Sequence, residues 1–236
     1  MKRSFISGTL LGIWKAVVPA RIRGSSTLYA IKKRLSGHNY VYSAEYFAKD
    51  VEGPATESAP QLSASIVARF NPRSIVDVGC GTGAFLAAMG QRGCKVFGLE
   101  YADAAIEFCH RRNLDVRKFD LEGESSAPEQ KFDVAVSMEV AEHLPAAVAD
   151  RYVRLLTSLA PVVVFTAATP GQGGVDHVNE QPREYWIEKF EARGHRLLAE
   201  LTEQWKEEWR KSGKVASWYY TNLMVFEATA GWQNSA

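Results

Sequence analysis

The sequence is poor in cysteine. It has three, Cys80, Cys94 and Cys109, and no C-x-x-C pair. That excludes a disulfide framework and a zinc knuckle, and it points to reduced thiols in an intracellular protein. No apolar run is long enough to cross a bilayer; the most apolar stretch near the start, residues 4–18, is closed by Pro19. No internal repeat is present, so a solenoid is excluded. The G-x-G-x-x-G signature of dinucleotide folds is missing, which argues against a NAD oxidoreductase. Finally, residues 1–36 contain no acid at all.

What remains is an ordinary globular composition. The chain has 236 residues, 46% hydrophobic and 23% charged, enough for one α/β domain with a sizeable core. The net charge is +1, but it is unevenly spread. Residues 1–36 hold only basic charges (Lys2, Arg3, Lys15, Arg21, Arg23, Lys32, Lys33 and Arg34), so residues 37–236 carry −7. A basic arm over 1–40 is expected, followed by a folded domain over 41–230 and a frayed tail over 231–236. Three readings of the arm stand side by side: packing on the domain or on a second subunit, peripheral contact with an anionic membrane surface, or RNA binding.

The informative stretch is 74–86. Ser74–Val78 is a β-branched run that reads as a buried strand. It ends in Gly79-Cys80-Gly81-Thr82-Gly83 and passes into the apolar helical segment Ala84–Met89. Three glycines in five residues allow positive φ and a close approach of ligand to backbone. The first amides of the following helix point at whatever binds there. Asp77, two residues before the first glycine, disfavours a phosphate and suits a cationic ligand.

This stretch closely resembles motif I of the class I S-adenosylmethionine-dependent methyltransferases. The resemblance runs from about residue 60 to 229. It implies an α/β, Rossmann-like, doubly wound, seven-stranded and mostly parallel sheet with an antiparallel last strand. It implies that Gly79, Cys80, Gly81 and Gly83 cradle the methionine part of S-adenosylmethionine, with Asp77 near its α-amino group. Cys80 is read as a small residue that fits the turn. Export is discounted, although Lys2-Arg3 and residues 4–20 superficially resemble a signal peptide, because the cofactor is made in the cytosol. A cytoplasmic protein is expected, with the membrane surface left open.

The β–α alternation then continues. Lys95–Leu99 reads as a second strand ending at Glu100, a position suited to accept from both ribose hydroxyls. Tyr101 follows, placed to lie against the adenine. A helix over 103–112 is expected with Asp103 as its N-cap. Val116–Phe119 is a short third strand, followed by Asp120-Leu121, where the family often places an acid facing the adenine amino group. Residues 132–137 form a fourth strand. Its end carries Glu139-Val140-Ala141-Glu142-His143, which resembles both ubiquinone-pathway O-methyltransferases and small-RNA 2′-O-methyltransferases. His143 reads as a general base; alternatively Glu139, Glu142 and His143 bind a divalent cation, with His177 as the later partner. No metal ligand is assigned, and Glu139 is grouped with the cofactor contacts.

An amphipathic helix over 146–159, a wholly apolar strand over 162–166 and a glycine-rich loop after residue 166 follow. That loop holds Asp176, His177, Asn179 and Glu180, and His177 competes with His143 as base. Residues 202–214 read as a solvated amphipathic insertion, a lid or a dimer contact. Residues 218–226 read as the final strand. Tyr42, Tyr46 and Phe47, in the segment that forms lid helices in the family, are expected to line the pocket, with core packing as the equal alternative. The expected reaction is methyl transfer to a hydroxyl of a small molecule: a sugar, a quinone or a secondary metabolite. A metal-assisted RNA 2′-O-methyltransferase and a non-catalytic S-adenosylmethionine-binding protein are the alternatives. The net acidity of 37–236 argues against nucleic acid.

Overall fold

Runs of Val, Ile and Phe make the central strands, and their burial on both faces explains why they are nearly continuous in apolar residues. The computed structural model describes residues 42–123 and 125–229; the expected basic arm and tail lie outside the described residues. A short helix α1 (Ala44–Tyr46) and a π-helical turn (Phe47–Val51) lead into α2 (Glu52–Phe70). Then come β1 (Ser74–Val78), α3 (Ala84–Gln91), β2 (Lys95–Glu100), α4 (Asp103–Arg111), β3 (Val116–Lys118) and β4 (Val134–Met138). Two 3₁₀ turns precede α5 (Ala149–Leu159), followed by β5 (Val162–Thr166), α6 (Arg183–Glu191), β6 (His195–Leu197), α7 (Ala199–Ser212), α8 (Ser217–Asn222) and β7 (Met224–Ala228).

The seven strands form one sheet in the order β3-β2-β1-β4-β5-β7-β6. β1 pairs in parallel with β2 on one side and β4 on the other, so the winding reverses between β1 and β4. That switch point opens a crevice at the carboxyl ends of the strands. β7 is antiparallel to both β5 and β6, which agrees with the expected sheet. The Asp133 carboxylate accepts from the amides of Arg73 (2.7 Å) and Ser74 (2.9 Å) and so ties the start of β1 to β4.

Period-two alternation sends side chains to two cores. Val163 and Phe165 of β5 pack with Tyr152, Trp186, Phe190 and Phe226 on one face. Val162 and Val164 pack with Leu62, Ile66, Leu86, Trp205 and Trp209 on the other.

Three local expectations are corrected. The residue at the N-cap of α4 is Ala102; Asp103 lies in the first turn and pairs with Lys118 instead. The insertion over 202–214 is no lid: Trp205 and Trp209 of α7 are buried and stacked, and Trp209 Nε1 donates to Ser65 Oγ of α2 at 2.9 Å. The last strand starts at Met224, because residues 217–222 form α8. Among the described residues, no helix is long and apolar enough to cross a membrane.

Candidate functional site

The glycine turn after β1 takes the shape its residues allow. Gly79, Gly81 and Gly83 have φ of 79°, 52° and 76°, values that favour glycine. Space forbids a side chain at two of them. A Cβ on Gly79 would come 2.5 Å from a Val140 methyl, and one on Gly83 would come 2.5 Å from Leu114. At Gly81 no such crowding exists: the nearest atom to a Cβ would be 3.7 Å away, on Val51. The turn therefore leaves an open cradle above Gly81. The Thr82 hydroxyl beside it is buried and has no partner.

Around this cradle the strand ends form a cavity of about 470 Å³ at the switch point. Asp77, Gly79, Cys80, Gly81, Glu100, Tyr101, Asp120, Leu121, Glu139, His143 and His177 all line it; Gly83 shapes the turn from behind. The cavity thus brings together every other residue expected there. Asp77 is 4% exposed, and its carboxyl is pushed up to about 8, first by burial and then by the charge of Glu100. Glu100 accepts from the amides of Gly81, Tyr101 and Ala102, each at 2.8 Å. Burial still leaves its pKa above the ordinary value, with those three bonds working the other way. Asp120 accepts from the Glu122 amide at 2.9 Å, which closes the loop after β3.

Cys80 and Cys109 face each other with sulfurs 3.9 Å apart. The contact with Cys109, then burial, raises the Cys80 thiol well above its ordinary value. Cys80 is a neutral packing thiol, as its place in the turn suggested.

The far wall holds the acid and imidazole groups. Glu142 is fully buried, and neither carboxyl oxygen has a hydrogen-bond partner. Burial and then the charge of Glu139 raise its pKa far above normal. His143 is lowered to about 4, first by burial and second by His177, and its Nδ1 is buried without a partner. Its ring stands perpendicular to that of His177, centroids 4.9 Å apart. Donor atoms of Glu142, His143 and His177 all lie within 4.8 Å of one another. Glu139 differs from this trio. It takes positive φ (56°), and its carboxylate accepts from Asn222 Nδ2 at 3.0 and 3.2 Å and from Gln172 Nε2 at 3.4 Å.

The approach side is aromatic. Tyr46 packs edge to face with both Tyr42 and Phe47, and Tyr42 also meets the His143 ring edge to face. All three line the cavity, so pocket lining and core packing coincide there. Trp218 and Val175, the large exposed hydrophobics among the described residues, sit at the same mouth.

Sequence reasoning missed Thr82, whose hydroxyl is orphaned inside the glycine turn, and Gln172 and Asn222, whose roles rest on contacts between distant segments. Trp218 was misplaced in a strand. Glu180 is read from the sequence only as one polar loop residue, although its i, i+3 spacing from His177 is a usable sign.

A family profile described as "Methyltransferase domain" matches residues 36–220. A ubiquinone biosynthesis O-methyltransferase from Leptothrix cholodnii is 33% identical over 86 residues, 34% of this chain and 37% of that protein. One from Nitrosomonas europaea is 31% identical over a stretch of the same length. The chain thus spans little more than a third of the length of the curated relatives it matches. Among solved structures, magnesium protoporphyrin IX methyltransferase from Synechocystis PCC 6803, with bound S-adenosylmethionine, superposes with a TM-score of 0.57 at 15% identity, covering 97% of this chain and all of that one. A sugar N-methyltransferase from a Streptoalloteichus species gives 0.55 at 16%, covering 78% and 90%. At such identities these neighbours establish the fold.

Proposed function

The chain belongs to the family of methyltransferase domains, and from that premise we propose that it transfers the methyl group of S-adenosylmethionine to a hydroxyl of a small molecule. The observation that carries the reading is the open glycine cradle flanked by two buried carboxylates, Asp77 and Glu100, with orphaned polar groups opposite it.

The residues fit the donor. Asp77 suits an α-ammonium, the unpartnered Thr82 hydroxyl suits a carboxylate, and Glu100 suits a ribose diol. Tyr101 and Leu121 supply walls for an adenine, with Asp120 at its edge. When bound, the donor supplies a methyl group on a positively charged sulfur. The chain's own part is to hold the acceptor in line with that methyl, to exclude water and to take one proton. His143 keeps its ring neutral, with Nδ1 free of partners, so a lone pair is available for the hydroxyl proton, while burial and His177 weaken the ring as a base. His177, beside it, is the second base candidate. Tyr42 packs edge-on against the His143 ring, with Tyr46 and Phe47 packed on Tyr42.

The wall chemistry narrows the acceptor. Among the described residues, seven acidic side chains line the cavity and no Lys or Arg does. A phosphate-bearing chain would find no cationic side chain there to neutralise it, which favours a small neutral molecule over RNA. We place the reaction in the cytoplasm, where the donor is made.

One observation favours a second reading of the far wall. Glu142, His143 and His177 offer a carboxylate and two imidazoles at mutual distances suited to one cation, a donor set that fits a divalent transition metal. Such an ion, held by these three residues, would lower the pKa of the acceptor hydroxyl.

The test is calorimetric titration with S-adenosylmethionine and S-adenosylhomocysteine, run with and without Mn²⁺, with NAD as the control. Binding in roughly the micromolar range, weakened on the order of 10–100-fold in Glu100→Ala by loss of charge-assisted hydrogen bonds, is expected. Heat from NAD, or affinity unchanged in the variant, overturns the assignment. Metal binding that disappears in His177→Ala would move the second reading to first place.

A further inference from the structure

We propose that Glu180 is the positioning residue of the site, fixing the His177 ring in the tautomer that carries its proton on Nδ1 and leaves Nε2 as the proton acceptor. The inference rests on the reading that His177 faces the methyl acceptor, and it goes beyond that reading by naming the residue that makes the imidazole a base of defined polarity.

The argument starts from one contact. His177 Nδ1 lies 2.9 Å from Glu180 Oε1. A carboxylate only accepts, so Nδ1 must carry the hydrogen. In a neutral imidazole the other nitrogen then holds the lone pair.

The carboxylate is itself held in place. Its Oε2 accepts from the Gly171 amide at 2.8 Å and its Oε1 from the Gly173 amide at 2.7 Å. With His177 Nδ1, three donors thus converge on the two carboxyl oxygens of Glu180. A free loop carboxylate would have no reason to meet three donors at once. Gly171 and Gly173 both have positive φ (89° and 70°), the backbone shape that turns their amides inward.

The ring is pinned from its other side by Gly174, where a Cβ would come 2.2 Å from His177 Nε2. Only a glycine leaves room for the imidazole there. The amides of Val178 and Asn179 also donate to the Glu142 carbonyl, at 2.9 and 3.0 Å, which fastens the loop to the far wall of the cavity. One carboxylate therefore shapes the loop over 171–180 and orients the imidazole that the loop carries.

The experiment reads the tautomer directly. Full-length protein labelled with ¹⁵N-histidine is examined by NMR above the imidazole titration range, with His177→Asn assigning the resonance. In the wild type, His177 is expected to carry its proton on Nδ1. In Glu180→Gln, the side-chain amide can donate to Nδ1, and the proton is expected to move to Nε2. Gly174→Ala, which keeps Glu180 but displaces the ring, is expected to lose the single-tautomer signature. Calorimetric titration of Glu180→Gln with S-adenosylhomocysteine should give the wild-type affinity, because Glu180 touches none of the cofactor cradle. A wild-type ring protonated on Nε2, or a tautomer unchanged in both variants, overturns the proposal. So does loss of S-adenosylhomocysteine binding in Glu180→Gln, which would make the residue a loop staple alone. The tautomer is read with no acceptor and no turnover, so this result and the failure of the methyl-transfer reading are separable.

Discussion

Asp77 shows how one residue's surroundings set what it can bind. In the free protein its carboxyl is pushed up to about 8 by burial and by Glu100, so it is mostly protonated at pH 7. An arriving ammonium reverses that balance and stabilises the carboxylate. Binding of S-adenosylhomocysteine at pH 7 should therefore release a proton. The measurement is calorimetry in buffers of different ionisation enthalpy, where the observed heat should vary with the buffer in the wild type and not in Asp77→Asn. The sign for stability follows from the same shift. Between the unfolded value near 4 and the folded value of about 8, the native state binds more protons than the unfolded chain, so stability falls as pH rises through that window. Asp77→Asn should flatten this slope while weakening the ligand. The glycine spacing and the acid two residues ahead of it made this residue legible in the sequence. Its protonation was not, because it depends on Glu100 from the next strand and on the depth of the cavity.

Among the elements, α7 departs furthest from its sequence. Its charged residues suggested a solvated insertion, and its two tryptophans, four apart, suggested a lid or a dimer contact. In the fold those tryptophans form the seam against α2: Trp205 meets Phe70 edge to face with centroids 5.9 Å apart, and Trp209 is fully buried. Periodicity located the apolar stripe but could not say what covers it, since α2 lies far away in the chain. Trp209→Ala should cost ~3–5 kcal/mol of unfolding free energy, read from urea titrations. Affinity for S-adenosylhomocysteine under native conditions should be nearly unchanged, which is the opposite of what a lid would give. The segment 217–222 teaches a related lesson. Trp218, Tyr219 and Tyr220 favour strands by type, yet they cover the cavity mouth and the α7 side of the core as a helix. Tertiary packing decided between the two.

The parallel half of the sheet could be read from the β–α alternation because each unit is built from neighbours in sequence. The place of β7 could not. It lies between β5 and β6, and its partners on β5 include Val162 with Glu227 and Phe165 with Met224, more than fifty residues apart. No local pattern encodes a strand that enters between two others. A chain ended after Asn222 would keep the glycine turn and both histidines, yet lose the strand that seals β5. It should elute as aggregates in size-exclusion chromatography while the full chain does not.

That arrangement also orders events during synthesis. The glycine turn, Glu100 and the imidazole wall have all been made before Met224 leaves the ribosome. Until then β5, buried along its whole length in the finished fold, presents an unpaired edge to the cell. The nascent domain is therefore exposed to misassembly and to chaperone capture after its imidazole wall is made and before its sheet can close.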